Sequence, residues 1–290
     1  MLTNLLPSPM NCRRVSLALA LAAGMATAVC AQSPQPPVAD VLMRITPAPD
    51  LIRDVVFNEL ADRAQQLQWK YTVAKRVGQQ TLTEEQIDTK DGPIYRVLAI
   101  DGAPLDQNQR KSDDERIDRL IRDPAQQQKL KKAHDDDEKK LEKLMGVMPD
   151  AFIFEYDGAE GNLVRIKFRP NPSYNPPTYE TRVAHSLAGT ILIDAQQKRL
   201  ARLSGQIITR VEFGFGFFGH IDEGGIMEVG RTQVGPAVWK TSFINIQLSG
   251  RLVFFKTINK QEYETRSDFQ AVSSDISLLE ARQMLPAKMF

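Results

Sequence analysis

The sequence predicts an α+β fold: a curved antiparallel sheet packed with an amphipathic N-terminal helix and interrupted by a helical insertion. Three observations predict it. From Ala201 to Phe217 the odd positions run Ala, Leu, Gly, Ile, Thr, Val, Phe, Phe, Phe, while the even ones include Arg202, Ser204, Gln206, Arg210 and Glu212. That two-residue alternation marks a half-buried strand, and Ala184 to Phe269 holds most of the alternation in the chain. Leu51, Ile52, Val55, Val56, Leu60, Ala64 and Leu67 instead recur at three- and four-residue spacing, the mark of a helix with one apolar stripe. Between Asp106 and Met148 the composition turns to Gln, Lys, Asp and Glu with a sparse apolar series, which predicts solvated helices.

At the N-terminus, Arg13 and Arg14 precede an apolar run from Val15 to Val29, and Val29-Cys30-Ala31 offers small residues for cleavage after Ala31. Residues 1–31 are expected to be a secretory signal peptide, with Met10 giving a more ordinary charged leader than Met1. The run is shorter than the roughly 20 strongly apolar residues of a permanent span, so the mature protein is expected in the periplasm. Cleavage removes both cysteines together with Arg13 and Arg14, two of the 37 basic side chains of the whole chain and none of its 36 acidic ones, which leaves the mature protein near balance. Such a balance argues against nucleic acid as a partner. Residues 32–49 are expected to form a Pro-rich linker and residues 50–290 a single domain with the insertion at 106–148.

Within that domain Asp50 is expected to cap the first helix. Gln68 to Gln79 and Gln86 to Ile100 read as strands, the second broken at Asp91-Gly92-Pro93. The insertion carries a capping-box pattern from Ser112 to Glu115 and a second helix start at Asp123-Pro124. Ala151 to Arg169 reads as a hairpin turning at Asp157 to Gly161, and Asn171 to Pro177 as a loop. Strands are then expected at Leu187–Asp194, Arg199–His220, Ile226–Val234, Val238–Lys256 and Glu262–Phe269, and a final helix capped by Ser274.

Several of these strands are apolar on both sides, Val238 to Phe255 most clearly. Either helices cover the second face, or the sheet curls around a partly apolar space as small barrels do. By parity Ile207, Val211, Phe213, Phe215 and Phe217 share one face, and with Trp239 and Phe243 they are the candidate lining for an acyl chain. The competing reading is that this face simply packs under the first helix.

The leader, the amphipathic first helix, the interrupted antiparallel strands, and Thr190-Ile191-Leu192-Ile193-Asp194 followed by Arg199-Leu200-Ala201-Arg202-Leu203 together resemble the lipoprotein-carrier (LolA/LolB-like) superfamily. That resemblance implies an unclosed antiparallel β-barrel lined with apolar residues and lidded by helices. It also implies a non-enzymatic role in binding a lipid or lipoprotein acyl chain, with peripheral membrane contact. Phe152 to Asp157, Lys167 to Pro172 and Phe254 to Ile258 are likewise similar to exported bacterial proteins of unassigned role. An envelope protein is the alternative partner, and a hydrolase the weaker alternative function.

The sharper chemical patterns are better explained without chemistry. Gly214-Phe215-Gly216-Phe217-Phe218-Gly219 spells the dinucleotide fingerprint, but a turn and a strand follow it where a helix is required. His220, Asp222 and Glu223 sit in ordinary hairpin-turn composition, and Asp135 to Glu138 beside His134 is matched by nearby lysines. His185-Ser186 lacks a nucleophile-elbow pattern. No catalytic residue, metal ligand or cofactor is therefore expected.

Overall fold

The computed structural model describes residues 37–64, 67–213, 219–252 and 256–285. It opens with helix α1 (Val38–Ile45), whose first N–H groups bond to the Pro37 carbonyl. The stretch expected to be linker is thus partly helix, because Ala39 and Leu42 recur at helical spacing and bury in the core. Helix α2 (Ala48–Ala64) follows, starting two residues before Asp50. Pro47 accepts the Asp50 and Leu51 N–H groups, and the Asp50 carboxylate pairs with Arg53 instead of capping.

Strands β1 (Trp69–Val77), β2 (Gln80–Ile87), β3 (Ile94–Ile100) and β4 (Ala103–Pro104) come next. The β1–β2 turn holds Gly78 at φ +62°, a left-handed conformation that glycine adopts without strain, so the second expected strand begins earlier than Gln86. Helices α3 (Gln107–Arg122) and α4 (Pro124–Ala151) form the insertion. The α3 capping box is Asp106 with Gln109, not Ser112 with Glu115, whereas Asp123 caps α4 as expected. Beyond it lie β5 (Phe152–Glu160), β6 (Leu163–Pro170), a short α5 (Tyr179–His185), and β7 (Leu187–Asp194). The stretch expected as one strand from Arg199 to His220 contains β8 (Arg199–Ile207), β9 (Val211–Phe213) and the start of β10 (Gly219–Ile221). The chain closes with β11 (Ile226–Gly235), β12 (Val238–Leu252), β13 (Lys256–Ala271) and α6 (Leu278–Met284), the last capped by Ser277 in place of Ser274.

The strands form one antiparallel sheet in the order β4-β3-β2-β1-β13-β12-β11-β8-β7-β6-β5, with β10 paired to β12 and β9. It does not close, and among the described residues β4 and β5 are its end strands. Register defines a continuous row on one face, here the front: Tyr156, Ile166, Ile191, Leu203, Val229, Ile244, Glu264 and Lys75. Helices α1 and α2 bury the β5–β8 part of that face, where Leu51, Ile52 and Val55 meet Ile166, Ile191 and Phe168. The opposite end is covered on the reverse face, since Ile87 and Ile94 lie at the other parity and pack against Ile117 of α3 and Leu278 and Ala281 of α6. The first helix of the insertion therefore docks away from the apolar row. Its edge contact is polar: Arg116 donates to the Tyr95 carbonyl at 2.6 Å and lies 3.8 Å over the Tyr95 ring, protecting β3 from further pairing.

One close approach sets the front face. Phe168 pairs with Gly189, Gly189 with Gly205, and the Phe168 ring tip would lie 3.3 Å from a Cβ added at Gly205. At Gly189 the neighbouring backbone leaves no room for a side chain, with the Ser204 carbonyl oxygen 1.9 Å from an added Cβ, while at Gly205 the Phe168 ring fills the space a side chain would take.

Candidate functional site

The residues expected to line a cavity separate into three groups. Ile207 and Val211 are buried in the core shared with α1 and α2, so they are packing residues, and Phe213 lies against that core with its ring edge-on to Tyr179 at 5.3 Å. Phe215 and Phe217 lie outside the described residues. Trp239 and Phe243 fall on opposite faces. Gly230 pairs with Phe243 and Arg231 with Thr241, so Ser242 is an extra residue that inverts the alternation between them. Trp239 is buried, its indole N–H donating to Gln197 Oε1 at 2.7 Å. Phe243 turns to the reverse face, where Arg202 stacks over it and Tyr263 meets its edge.

What the front face does offer lies farther along the row. Val229 and Ile244, with Ile246 beside them, are half-buried and belong to none of the packed clusters. Leu203, Met227 and Leu248 join them to the core. The next strand, β13, carries Glu262 and Glu264 on this face, so the apolar surface ends in charge. The patch was legible as alternation in the sequence. Which part of the alternation the helices would leave uncovered was not.

A buried ionic network bounds the patch on the side of α2. Arg199 holds Glu59 with two N–H groups at 3.0 and 3.2 Å and Asp62 with one at 2.8 Å, the Leu200 amide donates to Glu59 at 3.2 Å, and Arg231 also reaches Glu59. Burial lowers the Arg231 pKa to about 10, which leaves it charged at neutral pH. Glu59 and Asp62 continue the spacing of Ile52 and Val55, a signal available in the sequence but masked by their charge.

A second polar group lies where the β11–β12 hairpin end meets β1. Val234 and Val238 pack against Trp69 and Tyr71, and Lys240 sits 5.3 Å over the Trp69 ring. Tyr71 donates to Asp88 at 3.0 Å and accepts from Gln86 at 2.6 Å. Burial raises the pKa of both Tyr71 and Asp88, and burial lowers that of Lys240 against the pull of Asp62 and Asp88. The three groups thus favour their neutral forms more than free side chains do.

The remaining candidates have local partners. His185 Nε2 contacts the Asn171 carbonyl, while Ser186 donates to the Val183 carbonyl, so the adjacent pair does not interact. His220 lies between Arg210 and Asp222. The acidic run of α4 is paired as Lys131–Asp135, Lys132–Asp136, Lys140–Asp137 and Arg63–Glu138. Among the described residues no three His, Cys, Asp or Glu side chains are grouped to hold a metal, and no described helix is long and apolar enough to cross a membrane. No family model, curated protein or solved structure matches this chain.

Proposed function

We propose that the protein is a non-enzymatic periplasmic module that holds an acyl chain of a lipid or lipoprotein on the front face of its sheet. The observation that carries this reading is the half-buried set Val229, Ile244 and Ile246, which among the described residues belongs to no packed cluster. The secretory leader pattern and the resemblance to lipoprotein carriers point the same way. Each methylene brought out of water is worth about 0.8 kcal/mol, so a chain of about twelve carbons gains roughly 10 kcal/mol gross. Association costs of about 4–15 kcal/mol leave micromolar binding within reach. The ionic groups at the patch boundary would exclude the chain from the β13 side and direct it along β11 and β12.

Organic extraction and mass spectrometry of the purified protein is the direct test, with copurified lipid as the expected result. Ile244→Ser, a change of one half-buried side chain, should leave the protein folded by circular dichroism and should weaken a fluorescent fatty-acid probe at least tenfold. An empty protein that also fails to bind the probe, or a folded variant that binds it as the parent does, would overturn the reading.

A further inference from the structure

The two ends of the open sheet differ. β4 has two residues, whereas β5 has nine, the first five of which, Phe152 to Tyr156, run in regular register with β6 before a bulge at Asp157 and Gly158; among the described residues β5 is hydrogen-bonded to β6 alone. On its other side the β5 backbone makes no hydrogen bond to any described residue. A long free edge is a template for another strand, and proteins ordinarily shorten, cover or twist it away.

Beside this edge lies a notch of about 490 Å³, formed by the α1–α2 turn and β5 and lined by Met43, Ile45, Phe154 and Tyr156 together with the charged Arg44 and Glu155. Ile45 is 73% exposed, and Val41 and Val38, one and two turns back along α1, are 40% and 44% exposed. An eight-residue helix thus buries Ala39 and Leu42 on one side and exposes a second apolar stripe on another. On the reverse side of the edge Glu155 and Asp157 lie on β5, each ion-paired to one cation a strand inward, Arg169 and Lys167, which leaves their outward sides open to a further donor.

We propose that β5 is a docking edge for an extended peptide segment of a partner protein, one that alternates apolar and basic residues and adds to the sheet as a further strand. The backbone selects the class of partner, since a row of strand N–H and C=O groups is matched by another extended backbone and not by a lipid tail. Alternation follows from strand geometry. One set of added side chains faces the notch and the other faces Glu155 and Asp157. A second copy of this chain fits less well, because two β5 edges paired around a two-fold axis would bring Glu155 and Asp157 against their own copies. The proposal stands independently of acyl-chain binding, as it uses a different edge and different residues.

The test uses the full chain and a fluorescein-labelled peptide, Lys-Val-Lys-Val-Arg-Val-Lys-Val-Lys, with an isomer of the same composition whose valines form one block as control. Fluorescence anisotropy should show the alternating peptide binding at least tenfold tighter than the block isomer. Hydrogen exchange should slow across Phe152–Glu160. Glu155→Lys and Ile45→Asp, both at exposed positions, should keep the parent's thermal unfolding and each weaken the peptide at least tenfold. Equal binding of the two peptides, protection elsewhere than β5, or variants that bind as the parent does would overturn the proposal. So would protection of β5 that rises with protein concentration in the absence of peptide, which would make the occupant a second copy.

Discussion

Removing the Glu59 carboxylate should cost the fold about 3–5 kcal/mol, the usual price of leaving a buried charge without its partner. The magnitude follows from how few alternatives the stranded groups have. The side chains of Glu59, Arg199 and Arg231 are only 6%, 7% and 13% exposed. Without Glu59, Asp62 remains as the one carboxylate for two guanidinium groups, at 2.8 Å from Arg199 but 4.0 Å from Arg231. Arg231 does not escape by losing its proton, because even its lowered pKa of about 10 lies far above neutrality. In a domain of this size each kcal/mol moves Tm by roughly 2–4 °C, so Glu59→Ala should melt about 6–20 °C below the parent. Glu59→Gln keeps the shape and an acceptor oxygen and should lose less. Circular dichroism during thermal and urea unfolding measures both. Replacing the whole group, as Glu59→Leu and Asp62→Leu with Arg199→Met and Arg231→Leu, should recover much of the loss, since apolar residues of similar volume leave no member of the network unpaired. A Glu59→Ala loss below about 1 kcal/mol, or a quadruple variant no better than the single one, would refute the argument.

Three further outcomes follow from the same geometry. Burial raises the Asp88 pKa, so its contribution to stability is full below the unfolded value of about 3.9 and is lost as pH rises through the folded value. Asp88→Asn should flatten that fall and match or exceed the parent at neutral pH, which thermal unfolding at a series of pH values checks. Gly189→Ala would place Cβ 1.9 Å from the Ser204 carbonyl and 2.8 Å from the Gly205 Cα, so its loss should reach the upper end of the roughly 1–3 kcal/mol seen for overpacking, read by urea unfolding. In hydrogen exchange the middle of α4, Lys129 to Lys143, should exchange well before Ile191 to Ile193, because among the residues of α4 only Ala151 is buried. Equal protection would mean that α4 is held by contacts its exposure does not reveal.

Sequence alternation fixed faces well and partners poorly. β7 runs from Leu187 to Asp194 exactly where alternation bounds it, and β5 and β6 form the expected hairpin, though it turns at Gly161 and Asn162. Arg199 to His220 reads as one strand because apolar residues keep their parity across Ile208 to Arg210, while the backbone changes partners there: β8 pairs with β7 and β11, and β9 with β10. Trp239 and Phe243 share parity in the sequence, but one extra residue at Ser242 places them on opposite faces. Helix α1 was hidden by flanking prolines, which read as linker yet here precede and follow a helix. These misses share a cause: bulges, partner exchange and helix docking depend on residues distant in sequence.

The width of the sheet explains why some of its front face remains open. Eleven strands side by side at about 4.8 Å span roughly 50 Å, whereas two helices about 10 Å across cover about four strands. α1 and α2 lie over β5–β8, so the front of β11–β13 needs another solution. β13 solves it with polar side chains, Glu262, Glu264 and Arg266, the last two ion-paired with each other and mostly buried. β11 and β12 do not, for they place Val229, Ile244 and Ile246 there, on the strands just beyond the helices. A sheet adapted only to water would carry the β13 pattern two strands farther, through β12 and β11. The change from apolar to charged residues between β12 and β13 marks one limit of that patch, and the Glu59 network beside α2 marks the other.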